Sequence, residues 1–80
     1  MRRKPEKHDV IYWFTVAWDG YDGIDEGEVT ESRYTQADME ESIKHYIDKY
    51  KRRNVYLECC SMETSTSYVD LTNKIRSKNG

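Results

Sequence analysis

Between Val10 and Trp18 the chain alternates without a break. Val10, Tyr12, Phe14, Val16 and Trp18 fall on one side of an extended backbone, and Ile11, Trp13, Thr15 and Ala17 on the other. That period of two marks a β-strand. Its first half is apolar on both sides, so the strand is predicted to lie centrally, with a helix over one face and another covering over the other. The run Asp19-Gly20-Tyr21-Asp22-Gly23 carries two Asp-Gly turn signals. From Ile24 to Tyr34, Val29, Thr30 and Tyr34 are interleaved with Glu28, Glu31 and Arg33. This fits a hairpin whose second strand is an edge protected by charge.

The period then changes. Thr35 fits a helix N-cap with Asp38 three residues on, and Met39, Ile43, Tyr46, Ile47 and Tyr50 recur at helical spacing. Asp38, Glu40 and Glu41 crowd the first turn, and Lys49, Lys51, Arg52 and Arg53 the last, a distribution that complements the helix dipole. Asn54 is placed to end the helix. Val55 to Met62 predicts a third strand, with Val55, Leu57 and Cys59 on one side and Tyr56, Glu58, Cys60 and Met62 on the other. A polar turn, Glu63 to Thr66, leads to a short fourth strand around Tyr68 to Leu71.

The expected fold is therefore α+β: a single small domain in ββαββ order, with a four-stranded antiparallel sheet of order 4-3-1-2. One helix packs on the face carrying Val10, Tyr12, Phe14 and Val16. The opposite face is expected to carry Ile11 and Trp13 with Tyr56, Cys60, Met62 and Tyr68. Residues 1–8 read as a flexible basic arm, 9–72 as the domain and 73–80 as a frayed tail.

Composition tempers this picture. Leu, Ile, Val and Phe make up only 13 of 80 residues, and 35% of the chain is charged, proportions that approach those of disordered chains. Against this, 13 basic and 15 acidic residues leave a net charge of only -2, and seven Tyr and two Trp supply large apolar surfaces. A chain this short buries about 60% of its unfolded surface, which leaves no room for both a large core and a deep substrate cavity and argues against an enzyme. No run of 18 apolar residues and no signal-peptide pattern is present, so the expectation is a cytoplasmic protein without a membrane partner. The adjacent Cys59 and Cys60 would strain a mutual disulfide and are expected to be reduced thiols.

The candidate chemistry is sparse. His8, His45, Cys59 and Cys60 lack the paired spacing of a zinc site. The acids from Asp19 to Glu28 lack the spacing of an EF-hand loop. Cys60 with His45 is the single nucleophile–base pairing to nominate, and nothing in the sequence places them together. No nucleotide motif is present, so no cofactor, metal or catalytic residue is expected.

Charge is more informative. Residues 19–41 hold nine acids and one base, Arg33, which predicts an electric dipole. The acidic pole, represented by Asp22, Asp25, Glu26, Glu28 and Glu31, is suited to steering onto a basic protein surface, with Trp13, Tyr56 and Tyr68 as aromatic anchors. The basic pole, Arg2, Arg3 and Lys4 with Lys49, Lys51, Arg52 and Arg53, is suited to phosphates, although a pI near 5.6 is low for a dedicated nucleic-acid module.

In architecture and composition, the hairpin of Val10 to Tyr34, the capped helix Thr35 to Arg53 and the strand Val55 to Met62 resemble small phage-encoded accessory proteins, anti-CRISPR inhibitors among them. The resemblance spans most of the chain but carries no motif, and transfers no site residues. It implies a non-enzymatic inhibitor that binds a host defence or nucleic-acid-processing complex and acts by steric and electrostatic occlusion. Two alternatives stand beside it: a small nucleic-acid-binding domain using the basic arm and helix end, and a homodimer formed through the open sheet face.

Overall fold

The computed structural model describes residues 10–20 and 26–79. Strand β1 (Val10–Trp18) is followed by β2 (Gly27–Arg33), helix α1 (Gln36–Lys49), a single 3-10 turn (Lys51–Arg53), β3 (Val55–Thr64), β4 (Tyr68–Asp70) and helix α2 (Thr72–Asn79). The sheet order is β2-β1-β3-β4, antiparallel throughout. Read from the other edge, this is the expected 4-3-1-2. The expected acidic hairpin tip at Asp22 and Asp25, and the basic arm of Arg2, Arg3 and Lys4, lie outside the described residues.

Local signals explain the ends of α1. Thr35 has extended backbone angles, and its Oγ1 accepts a hydrogen bond from the Asp38 backbone N–H at 3.1 Å, satisfying one of the donors a helix start leaves over. After the 3-10 turn, Asn54 adopts the left-handed conformation (φ 60°, ψ 54°), which Asn tolerates better than most residues. The Arg53 carbonyl accepts from the backbone N–H groups of both Asp19 and Gly20.

The core lies on one side of the sheet. Phe14 and Val16 from β1 and Leu57 and Cys60 from β3 pack with Met39 and Ile43 from α1 and with Leu71 and Ile75. Ile75 is fully buried, so the segment expected to fray is a second helix on the same face as the first. With two apolar positions, Leu71 and Ile75, its pattern is too short to show a period. Its anchor is polar. The Asp70 carboxylate accepts from the Thr72 backbone N–H at 2.9 Å and lies 2.6 Å from the Thr72 hydroxyl, which in turn accepts from the Cys60 backbone N–H. These bonds from Thr72 favour the charged form of Asp70 and hold its pKa below the usual carboxylate value.

The second departure is a bulge in β3. Thr15 faces Cys59 while Val16 faces Leu57, leaving Glu58 as an extra residue. Glu58 and Cys59 are both exposed, and beyond them the alternation is inverted. Cys60 and Met62, expected beside Tyr56, are instead on the core side, and Cys59 is on the open side. The Arg76 guanidinium spans the irregularity, donating to the Leu57 and Glu58 carbonyls at 3.0 Å each.

The third departure concerns charge. Helix α1 returns along the sheet so that Tyr50 stacks on Trp18 and Arg53 meets Asp19. The basic helix end and the flanks of the acidic hairpin, Asp19 and Glu26, thus share one end of the molecule. Segregation along the chain does not become segregation in space, and the expected dipole between those two groups does not form. Edge protection of β2 does occur: the Arg33 guanidinium donates to the Ser32 carbonyl at 2.7 Å, occupying an acceptor that another strand could use.

Candidate functional site

With α1 and α2 on one face of the sheet, no described element packs on the other. Its layout follows from the strand register. One row runs Ile11, Glu63, Tyr68; the next Ser32, Trp13, Ser61, Asp70; then Thr30, Thr15, Cys59; and last Glu28, Ala17, Tyr56. Trp13 is 39%, Tyr56 43% and Tyr68 67% exposed, so the three expected anchors all reach solvent on this face. The Trp13 indole N–H donates to Glu63 Oε1 at 3.1 Å, and the Thr15 and Thr30 hydroxyls are 2.8 Å apart. These cross-strand contacts fix the orientation of the central side chains.

Among the described strand residues the face has one sign of charge. Glu28, Glu63 and Asp70 occupy its register positions and Glu58 protrudes at the bulge, whereas Arg33 is the sole basic residue in the four strands and lies on the helix side. An open cleft of about 400 Å³ is cut into the end nearest the hairpin. Ala17 is 5% exposed and contributes to its lining, together with Tyr56, Asp19, Glu26, Glu28 and Glu58. Ala17 makes the depression because it is the small residue between two long neighbours, Glu28 and Tyr56.

The remaining sequence candidates are placed elsewhere. Glu31, expected to steer a partner, is on the helix side, where its carboxylate accepts from the Tyr46 hydroxyl at 2.8 Å and from Arg33 Nη2 at 2.7 Å. The bond from Tyr46 and then that from Arg33 lower its pKa; the same bond raises that of Tyr46. This cluster lines a second cleft of about 540 Å³ with Asp38, Glu41, Ser42 and His45. Cys60 is buried, and desolvation pushes its thiol up to about 11, the reverse of an activated nucleophile. His45 is exposed on α1, edge-on to Tyr46, so the Cys60–His45 pairing is not assembled. No group of three or more metal-ligating side chains converges among the described residues.

No family model, curated protein or solved structure matches the chain.

The basic set is split. Lys49 lies over the Tyr50 ring, Lys51 is 3.8 Å from Asp48, and Arg52 is exposed, while the Arg53 carbonyl is tied to the hairpin. These cations follow a helix C-terminus, whose carbonyl dipoles oppose phosphate. No described helix is long and apolar enough to cross a membrane. Sequence reasoning missed Ala17, Asp19, Glu58 and Glu63 as parts of the site. Ala17 and Glu63 could have been found from alternation, but Glu58 owes its place to the bulge.

Proposed function

We propose that this chain is a non-enzymatic protein-binding module whose working surface is the open sheet face. One observation carries this reading: both helices pack on the same side of the sheet, and the other side presents Trp13, Tyr56 and Tyr68 to solvent. Trp and Tyr dominate the energetics of protein interfaces because they desolvate large areas while losing little side-chain freedom. The surrounding carboxylates would guide the approach of a basic partner and raise the association rate at low salt. Covering a basic groove that normally receives nucleic acid would inhibit by occlusion, as expected of an inhibitor of a defence or nucleic-acid-processing complex. A second copy is a poor occupant, since face-to-face pairing sets Glu28, Glu63 and Asp70 against their own kind.

The test is capture of partners from nuclease-treated lysate by the wild-type chain and by Trp13→Lys. Lysine at position 13 retains a donor for Glu63, so the fold is expected to persist. A stoichiometric protein held by the wild type and lost by Trp13→Lys supports the reading. A partner retained equally by both removes the open face from the account. Binding that disappears with nuclease and depends on Lys49, Lys51 and Arg52 transfers the function to the basic helix end. Glu28→Lys should slow association in a salt-dependent manner.

A further inference from the structure

The cleft beside Ala17 specifies more than a generally acidic partner. Its lining combines a small buried side chain, the exposed ring of Tyr56, and the carboxylate-bearing residues Asp19, Glu26, Glu28 and Glu58, with no Lys or Arg among the described residues. At about 400 Å³ it has room for a long side chain. The Asp19 carboxylate already accepts from Asn54 Nδ2 at 2.7 Å, and an aromatic ring bordered by the remaining acidic residues is complementary to one type of protein side chain above others. Guanidinium is planar, stacks on aromatic rings, and pairs with carboxylates through two parallel N–H···O bonds. A lysine ammonium lacks both the plane and the fork.

On the reading that the open face docks a protein, we propose that the partner inserts an arginine side chain into this cleft, its guanidinium against Tyr56 and between Glu28 and Glu58. Trp13 and Tyr68, in the two rows farther along the face, then meet the apolar surface around that arginine. The cleft is the specific element of the contact, and the other carboxylates contribute mainly to the encounter rate.

The test uses a nona-arginine peptide and a nona-lysine peptide, each titrated into the isotopically labelled full chain while backbone amide shifts are followed. Arginine peptide is expected to move the amides of Ala17, Gly27, Glu28 and Tyr56 most, and to bind more tightly than the lysine peptide. Glu28→Gln with Glu58→Gln, both exposed positions, should weaken it about tenfold. Glu41→Gln with Asp48→Asn removes the same charge from exposed positions on α1 and should change affinity less than twofold. Tyr56→Leu should narrow the difference between the two peptides. Equal loss from both charge pairs, equal affinity for both peptides, shifts centred away from the cleft, or no binding would each overturn the arginine assignment. None of those outcomes touches the broader docking reading, which is tested separately by whether the partner captured from lysate is indifferent to Trp13→Lys.

Discussion

The indole of Trp18 lies flat on the ring of Tyr50, with centroids 3.9 Å apart and planes 9° from parallel. This contact joins the end of the central strand to the end of α1. It depends on a third residue, because a Cβ at Gly27, opposite Trp18 on β2, would sit 2.9 Å from Trp18 Cζ2. The stacked ring cannot yield easily. Gly27→Val is therefore expected to destabilise the fold by about 1–3 kcal/mol, measured by urea denaturation. A double-mutant cycle of Trp18→Leu and Tyr50→Leu should give a coupling of about 0.5–1.5 kcal/mol; additive losses would show that the stack contributes only its area.

Ile75 is the main apolar side chain through which α2 enters the core, and it is completely buried. Ile75→Ala should cost about 2–4 kcal/mol, a large share of the roughly 4–12 kcal/mol expected for 80 residues. Thr72→Val removes the acceptor for the Cys60 backbone N–H and should cost about 1–3 kcal/mol. If thermal unfolding of both variants matches wild type, α2 is not integral to the domain.

The Tyr46–Glu31–Arg33 cluster sets a pH dependence with a definite sign. Glu31 has a folded pKa below its ordinary value of 4.5, so its stabilising contribution is fully present above that value and is lost as pH falls through the folded pKa. Tyr46 is raised above 10.0; the neutral phenol is favoured in the fold, and stability falls as pH rises past 10. Between those limits the cluster is intact. Glu31→Gln should flatten the acid limb of the stability–pH curve, and Tyr46→Phe the alkaline limb. An unchanged acid limb in Glu31→Gln would show that other carboxylates control acid unfolding.

The two cysteines should react very differently. Cys59 is exposed in the middle of the open face, whereas the Cys60 thiol is buried and pushed up to about 11. A thiol reagent at pH 8 should titrate one group per native chain and two after denaturation, with mass spectrometry placing the first label on Cys59. A bulky adduct there should also abolish binding of the captured partner. Retained binding by the fully labelled protein would move the interface elsewhere.

Much of this architecture was legible in the chain because local and tertiary preferences agree. The alternation from Val10 to Trp18, the Thr35 cap and the apolar spacing of Met39, Ile43 and Tyr46 all point to the elements that form. Trp13, Tyr56 and Tyr68 could be assigned to one face before their exposure was known. Four features were not legible. Helix α2 depends on contacts with β3 rather than on its own pattern. Glu31 is withdrawn from the acidic set by a tyrosine 15 residues away, and the single-residue offset at Glu58 leaves no mark in an alternating sequence. The acidic and basic segments looked like opposite poles because sequence distance says nothing about where a returning helix ends.

The offset at Glu58 also sets how the chain can change length. Removing that one residue would restore a regular ladder between β1 and β3 and leave every side chain on its present side, since Leu57 already faces Val16 and Cys59 already faces Thr15. Removing a residue away from the bulge would not. If Ser61 were lost and pairing up to Cys60 were kept, Met62 would emerge opposite Trp13 on the open face and Glu63 would turn to the core side opposite Tyr12. A lineage carrying this domain could lose a codon at the bulge far more readily than one a few positions further along β3.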